Sequence, residues 1–177
     1  MKKYFFLSLA LLIFVSCTKD RELITEPESN SFKSPLFINE LVVKGSTNNN
    51  EFGSPEDWIE IYNSADTAFT LQNGEWFITD DASSDPLQYA LPNITIPANG
   101  YYVIWCDGLD TIANDVHTNF KLGADGENVG LFYLNATKKA DSYNYPAQNQ
   151  DGVSYARIPD GSSNWGELNN PTLGASN

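Results

Sequence analysis

Residues 57–62 read Asp-Trp-Ile-Glu-Ile-Tyr. In an extended chain, Trp58, Glu60 and Tyr62 point to one face and the two isoleucines point to the other. A period of two residues is typical of a β-strand, and no helix of 3.6 residues per turn would produce it. This stretch therefore predicts a strand, and the rest of the chain can be compared with it.

The same kind of short apolar run, broken by Gly, Asn, Asp or Pro, continues in both directions from this strand. We predict further strands over residues 36–43, 68–71, 76–79, 88–91, 94–106 with a turn at Asn99-Gly100, 119–122, 128–134, 140–145 and 153–158. Residues 101–106 are apolar on both faces, so this part is expected to form a central strand. About eight or nine short strands with regularly spaced turns, and no sustained helical period, predict an all-β protein with a β-sandwich fold.

Several motifs in a fixed order connect these strands to a known family. Phe37-Ile-Asn-Glu-Leu41, followed by residues 57–63, resembles the opening of a bacterial lamin-tail domain. Residues 96–104, 117–127 and 155–161 resemble its later parts. The resemblance extends over residues 36–177 and implies an immunoglobulin-like β-sandwich. It implies no catalytic residue, because a fold family does not by itself define a chemistry.

The N-terminal part has the pattern of an exported lipoprotein. Two lysines at positions 2 and 3 precede an apolar run over residues 4–15, which is shorter than the roughly 20 residues needed to span a bilayer. Residues 14–17, Phe-Val-Ser-Cys, resemble a lipobox. We therefore expect a signal peptide over residues 1–16, a flexible linker over 17–35 and the β-sandwich over 36–177. The resemblance implies a diacylglyceryl group on the Cys17 sulfur and a palmitate-type acyl group on its amine.

The expected location is the cell envelope, in the outer membrane. Residues 18–22, Thr-Lys-Asp-Arg-Glu, resemble the surface-export signal of Bacteroidota lipoproteins, and a solvated tether is the alternative interpretation. The formal net charge of −13 argues against binding to nucleic acid, because a phosphate backbone requires a basic surface.

Acidic residues are concentrated in the predicted loops. Calcium binds six to eight oxygen ligands, and loops of extracellular β-domains can provide them, although no EF-hand spacing is present. A solvated acidic surface is the simpler interpretation. The candidate residues for calcium or partner binding are Asp80, Asp81, Asp85, Asp107 and Asp110.

Other residues that could carry chemistry have structural interpretations. His117 is the single histidine, and we expect it to support the fold rather than to act as a general base. Cys106 ends an apolar strand and is expected to be a buried free thiol. The four tryptophans are expected to lie mostly in the core, with an exposed glycan platform as the alternative. Thr67 and Thr111 each follow an Asp, which resembles an O-glycosylation acceptor.

These observations favour a membrane-anchored, non-catalytic module that binds an envelope protein or glycan and needs no cofactor apart from the candidate calcium. Two alternatives stay open. One is a small envelope hydrolase that uses loop carboxylates. The other is a structural subunit that contributes an edge strand to an envelope assembly.

Overall fold

The computed structural model describes residues 33–177. The expected signal peptide, Cys17 and most of the 17–35 linker lie outside the described residues. Residues 33–177 form thirteen β-strands. In chain order they are β1 (Leu36–Val42), β2 (Trp58–Asn63), β3 (Phe69–Leu71), β4 (Trp76–Thr79), β5 (Tyr89–Ala90), β6 (Ile94–Ile96), β7 (Tyr101–Trp105), β8 (Thr111–Ile112), β9 (Val116–His117), β10 (Asn128–Tyr133), β11 (Lys138–Asn144), β12 (Ser154–Arg157) and β13 (Trp165–Leu168). A search of this same part of the chain finds no helix long and apolar enough to cross a membrane.

The strands form two main sheets and one small one. The larger sheet has the order β13-β12-β1-β2-β7-β9-β8, and the smaller main sheet has the order β11-β10-β4-β5. Strands β3 and β6 form a separate two-stranded ribbon. All pairs are antiparallel except the parallel pair of β7 and β9. This arrangement confirms the predicted all-β class and is that of an immunoglobulin-like sandwich.

The core lies between the two main sheets and contains the apolar residues of the alternating pattern. Ile59 and Ile61 of β2 are at most 1% exposed, and they share one cluster with Ile78 of β4 and Leu131 of β10. Burial of each such side chain contributes about 1.5–3 kcal/mol to folding, so this cluster is the main source of stability. Phe120, which the lamin-tail resemblance places in a hairpin motif, belongs to the same cluster.

Most predicted strands are present, with three differences. Residues 119–122 were expected to form a strand, but they form only an isolated bridge between Lys121 and Asp107. The short strands β8 and β9 were not predicted, because two-residue strands leave no periodic pattern. Strand β13 was also missed, since its Trp-Gly-Glu-Leu sequence has no alternation. The prediction that residues 101–106 form a central strand is confirmed, because β7 lies between β2 and β9.

The outer face of the larger sheet is covered by residues 171–177, which we call the C-terminal segment. The backbone N–H of Thr172 donates to Glu40 of β1, and that of Gly174 donates to Glu60 of β2. Leu173 packs against a small apolar cluster that includes Trp58. Strand β2 is consequently buried on both faces, which the alternation in its sequence did not reveal.

One lateral side of the sandwich is closed by side chains from the edge strands β11 and β13. Tyr143 of β11 stacks on Trp165 of β13 with ring centroids 3.6 Å apart. Arg157 lies over the Trp165 ring at 4.6 Å, and its Nη2 donates to both carboxylate oxygens of Asp141, at 2.8 and 3.0 Å. These contacts connect the two sheets on this side.

Candidate functional site

The opposite side of the sandwich is open. Strand β5 ends the smaller main sheet and β8 ends the larger one, and a cavity of about 430 Å³ lies between them. Both strands contribute to its walls. Its lining residues are Gln88, Tyr89, Ala90, Asp110, Thr111, Ile112 and Asn119. The cavity thus separates two sheet edges that have no further strand partner within residues 33–177, and we call it the edge pocket.

The backbone direction at these two edges follows from the neighbouring hydrogen bonds. The N–H of Leu91 donates to Trp76 of the adjacent strand, and the N–H of Asp110 donates to Thr118. In an antiparallel ladder, successive residues turn their N–H and C=O groups to opposite sides. The backbone groups of Ala90 and Thr111 therefore face away from their own sheets, on the side of the edge pocket.

Apolar side chains are exposed around the edge pocket. Ile112 is 61% exposed and lines the cavity. Leu87 and Leu109 are 45% and 55% exposed, and each directly precedes a lining residue in the chain. Ile112 is thus the exposed large apolar side chain that lines the cavity, next to the two unpaired sheet edges.

The first acidic loop of the prediction lies between β4 and β5. Asp81 and Asp85 are exposed, and Asp80 is half-buried. Burial raises the pKa of Asp80, and the hydrogen-bonding contact with Gln88 only partly opposes this. The Gln88 side chain accepts hydrogen bonds from Asp80 N at 3.0 Å and from the Thr79 hydroxyl at 2.7 Å, which connects this loop to the edge pocket.

The second acidic loop follows β7 and separates its two acids. Asp110 is exposed, lines the edge pocket and adopts a positive φ of 51°, a conformation that Asp tolerates better than most residues. Asp107 is buried, and its carboxylate accepts a hydrogen bond from Leu109 N at 3.1 Å. Asp110 is therefore available to a ligand, whereas Asp107 shapes the loop that presents it.

Asp107 belongs to a buried network around the single histidine. His117 Nδ1 lies 2.6 Å from Asp107 and Nε2 lies 2.9 Å from Glu51. Phe52 covers the imidazole, with ring centroids 5.0 Å apart, and His117 is 0% exposed. Both ring nitrogens are occupied by carboxylates and the ring is closed off from solvent. This geometry supports the structural interpretation of His117.

The charge of the histidine follows from two opposing effects. Burial by itself lowers the pKa of His117, but the hydrogen bonds and negative charges of Asp107 and Glu51 outweigh it and raise the pKa. The same contact with His117 lowers the pKa of Glu51, against the effect of burial. The raised pKa favours the protonated form of the imidazole, and the network fixes β9 beside the loop after β7.

Two further carboxyl groups are buried on the outer face of the larger sheet. Glu40 and Glu60 are 0% exposed because the C-terminal segment covers them. Burial raises the pKa of Glu60 to about 8, and it also raises the pKa of Glu40. Although carboxyl groups with raised pKa values can act as general acids, a substrate cannot reach these two while the segment is in place.

The other predicted residues are distributed over the surface and core. Thr67 is exposed, and Thr111 is half-buried at the edge pocket. Trp58, Trp76 and Trp105 are at most 4% exposed and belong to the core, as expected, whereas Trp165 stacks on Tyr143. Cys106 is a buried free thiol, and burial raises its pKa.

The acidic loops are the candidate sites for calcium. Over residues 33–177, no three His, Cys, Asp or Glu side chains come together in a way that could hold a metal ion. Asp107, one of the candidate ligands, already contacts His117. Calcium binding by Asp80, Asp81, Asp85 and Asp110 stays a prediction.

Sequence reasoning missed the residues that surround the candidate ones. Glu51 and Phe52 precede the first strongly alternating strand, in a loop with no recognisable motif. Leu109 and Ile112 are large apolar residues in an otherwise polar stretch, and this contrast is the one signal in the sequence that could have identified them. The burial of Glu60 depends on Gly174, a partner 114 residues away in the chain.

Comparison with known protein families finds a match over most of the described strands. The model of the Lamin Tail Domain matches residues 29–147, about two thirds of the chain. The match includes strands β1 to β11 and both loops beside the edge pocket, and it ends before β12. No curated protein matches the chain.

Proposed function

Because this chain belongs to the lamin tail domain family, whose immunoglobulin-like fold is an interaction module, we propose that it binds an envelope protein or glycan without catalysing a reaction. The binding surface in this proposal is the open side of the sandwich. The observation that carries it is the edge pocket, where two unpaired sheet edges and the exposed side chain of Ile112 lie together.

The proposal includes a lipid anchor at Cys17. Residues 1–16 have the composition of a lipoprotein signal peptide, and the sulfur of Cys17 would carry the diacylglyceryl group. One acyl chain gives only marginal membrane binding, whereas the two or three chains of a lipoprotein hold it firmly. An outer-membrane anchor would keep the domain, and therefore its open side, close to the envelope surface.

The non-catalytic part of the proposal is supported by the state of the ionisable groups. His117 is enclosed by Asp107, Glu51 and Phe52. Glu60, the carboxyl group with the largest rise in pKa, lies beneath the C-terminal segment together with Glu40. The acids that remain exposed at the edge pocket are suited to attracting a ligand. The hydrolase alternative would have to rely on these solvated carboxylates or on half-buried Asp57, whose pKa burial raises to about 6.

The unpaired edges also support the second candidate, a structural subunit of an envelope assembly. A neighbouring subunit could add a strand to β5 or β8 in the manner of β-augmentation. The two candidates use the same surface and differ in the partner. A stable complex of fixed stoichiometry favours the subunit, whereas a reversible complex with a soluble or surface ligand favours the binding module.

The test compares two sets of surface changes in the full-length lipoprotein. In the open-side variant, Ile112→Ser is combined with Asp→Asn changes at Asp80, Asp81, Asp85 and Asp110. A control variant combines Leu134→Ser, at a side chain that is 54% exposed, with Asp66→Asn and Asp125→Asn. Each tagged protein is crosslinked in cells with formaldehyde and purified, and its partners are identified.

The proposal expects the open-side variant to lose its partners and the control to keep them. Asparagine preserves the shape of each loop, including the positive φ at Asp110, so a loss would report on charge and the apolar contact. Partners that survive in both variants would place the binding surface elsewhere. Turnover of an envelope polymer by the purified protein would overturn the non-catalytic proposal.

A further inference from the structure

We propose that the edge pocket binds a short, extended peptide segment of a protein partner, rich in Lys or Arg, which adds as a strand between β5 and β8. This inference rests on the proposed function and deepens it, because it names the class of ligand.

The backbone geometry provides hydrogen-bonding groups on both walls. The N–H and C=O of Ala90 point outward from β5, and those of Thr111 point outward from β8. Asn119 donates to the carbonyl of Gln88 at 3.1 Å, which caps one end of the β5 edge and leaves the position of Ala90 open. An extended segment between the walls can pair with either edge, as in other cases of strand addition.

The charge around the edge pocket favours a basic segment. Asp110 lines the cavity, while Asp81 and Asp85 are exposed on the loop before β5. Lys121, which lies opposite Asp107 of the second loop, is already paired with Glu56 at 3.2 Å. The formal net charge of −13 adds a long-range attraction for cations. A partner with Lys or Arg would neutralise this side of the molecule, whereas an acidic one would be repelled.

The exposed apolar side chain of Ile112 favours an apolar residue at every second position of the bound peptide. Successive side chains of an extended peptide point to opposite sides, with a rise of about 3.3 Å per residue. One set can then contact Ile112, which lines the edge pocket, and the other can extend toward the aspartates. A segment that alternates basic and β-branched residues has this pattern.

A glycan is the less favoured occupant, for a reason visible in the lining. Sugars stack on the exposed faces of aromatic rings, and the aromatic residue of the edge pocket, Tyr89, is 6% exposed. Three of the four tryptophans are in the core, and Trp165 belongs to the closed side. Aliphatic side chains and unpaired backbone groups are suited to a peptide.

The test measures the binding of a labelled peptide to the full-length protein in detergent. The probe is the acetylated heptapeptide Lys-Val-Lys-Ile-Lys-Val-Lys with a fluorescent label, followed by fluorescence anisotropy. We expect saturable binding that weakens as NaCl is raised from about 20 to 300 mM, because salt screens exposed charges. A peptide with Glu in place of Lys is expected not to bind.

Two variants separate strand addition from simple charge attraction. Thr111→Pro removes the outward N–H but no hydrogen bond to β9, and should weaken binding at least about fivefold. Thr111→Val retains that N–H and should leave binding unchanged. Asp110→Asn should weaken binding about two- to fivefold, whereas Asp66→Asn, at an exposed acid outside the edge pocket, should have no effect. N-methylation of the central Ile amide in the probe should also weaken binding.

Strand addition would be overturned if Thr111→Pro bound the probe as tightly as Thr111→Val does. It would also be overturned if the N-methylated probe bound as tightly as the unmodified probe. Absence of probe binding, with an envelope partner still captured through the open side, would refute the inference and leave the proposed function standing. A captured glycan that displaces the probe from the edge pocket would likewise refute the inference and leave the proposed function standing. Loss of both the probe and the captured partner would instead refute the proposed function.

Discussion

Glu40 and Glu60 lie directly opposite each other on the neighbouring strands β1 and β2, and both side chains are fully buried. Acids that face each other across two strands destabilise a sheet when both are charged. Here the C-terminal segment donates hydrogen bonds to both carboxyl groups, from Thr172 and from Gly174. The protonation of these two carboxyl groups therefore links the pH of the solution to the attachment of the C-terminal segment.

The first prediction concerns the pH dependence of stability. Burial, followed by the charges of Glu40 and Asp160, raises the pKa of Glu60 from its ordinary value of 4.5 to about 8, although hydrogen bonds from Asn39 and Gly174 oppose this rise. Between these two pH values the folded protein holds a proton that the unfolded chain has released. The free energy of unfolding should therefore fall as pH rises from 4.5 to 8, by at most about 1.4 kcal/mol per pH unit for this one group.

Glu60→Gln should reduce that slope, because glutamine does not titrate. It should also destabilise the protein at pH 5, since its NH₂ group cannot accept one of the two hydrogen bonds that the carboxyl accepts from Asn39 and Gly174. Urea unfolding at several pH values measures both effects. A variant with the slope of the wild type would show that Glu60 titrates normally.

The second prediction concerns removal of the C-terminal segment. A chain that ends at Asn170 lacks the segment and should expose Trp58 and both glutamates to water. We expect tryptophan emission to shift to the red and the Glu60 contribution to the pH slope to disappear, because burial is the main cause of the raised pKa. Leu173→Ala is the milder change, since it loses the contact with the Trp58 cluster but keeps the backbone N–H donors. Unchanged emission in both variants would contradict the covering role.

The third prediction concerns the network of His117. His117→Gln leaves the buried Asp107 carboxylate without its cationic partner and should cost about 3–5 kcal/mol. Because contacts in the folded state raise the pKa of His117, its contribution is fully present below about pH 6.5 and is lost as pH rises through the higher folded value. The loss caused by the variant should thus be larger at pH 6 than at pH 9.

The control for this experiment is an exposed ion pair of similar length. Lys121→Gln breaks the contact with Glu56, in which the lysine side chain is 61% exposed, and should cost less than about 1 kcal/mol with no change over this pH range. Equal losses at both pH values for His117→Gln would mean that the imidazole is not charged in the folded protein.

The fourth prediction concerns the anchor. Cys17→Ala should abolish incorporation of an alkyne fatty acid, because the sulfur that carries the diacylglyceryl group is missing. The precursor should accumulate with its signal peptide attached. Cys106→Ala is the matched control, since that thiol is buried in the domain and should have no part in lipidation. Labelled Cys17→Ala protein would exclude this anchor site.

Surface exposure is tested separately in intact cells. Protease added outside should degrade the wild-type domain if the protein faces the medium. Replacement of residues 19–22 by alanine should then protect the domain, because this charged stretch resembles an export signal. Protection of the wild type would place the domain in the periplasm.

The sequence predicted the fold well where local pattern and burial agree. Residues 76–79 form a strand as expected, and residues 101–105 form a central one. The prediction was wrong at residues 119–122, because Phe120 and Leu122 are buried without being part of a strand. An apolar alternation reports on burial, and a loop that packs against the core produces the same pattern as a strand.

The candidate site was harder to predict, since it depends on pairings across the fold. The two acidic loops were recognised, but nothing local distinguishes buried Asp107 from exposed Asp110. The difference comes from His117, which reaches Asp107 through the parallel pairing of β9 with β7. The edge pocket itself exists because β5 and β8 end different sheets, a relationship that no short segment contains.

The most direct test of the central claim is photo-crosslinking in living cells from the open side of the sandwich. The crosslinking residue p-benzoylphenylalanine replaces Ile112, which is 61% exposed at the edge pocket, or Leu134, which is 54% exposed after β10. We predict a discrete crosslinked partner from position 112 and none from position 134. Equal crosslinking from both positions, or a partner captured from position 134 alone, would contradict binding through the open side.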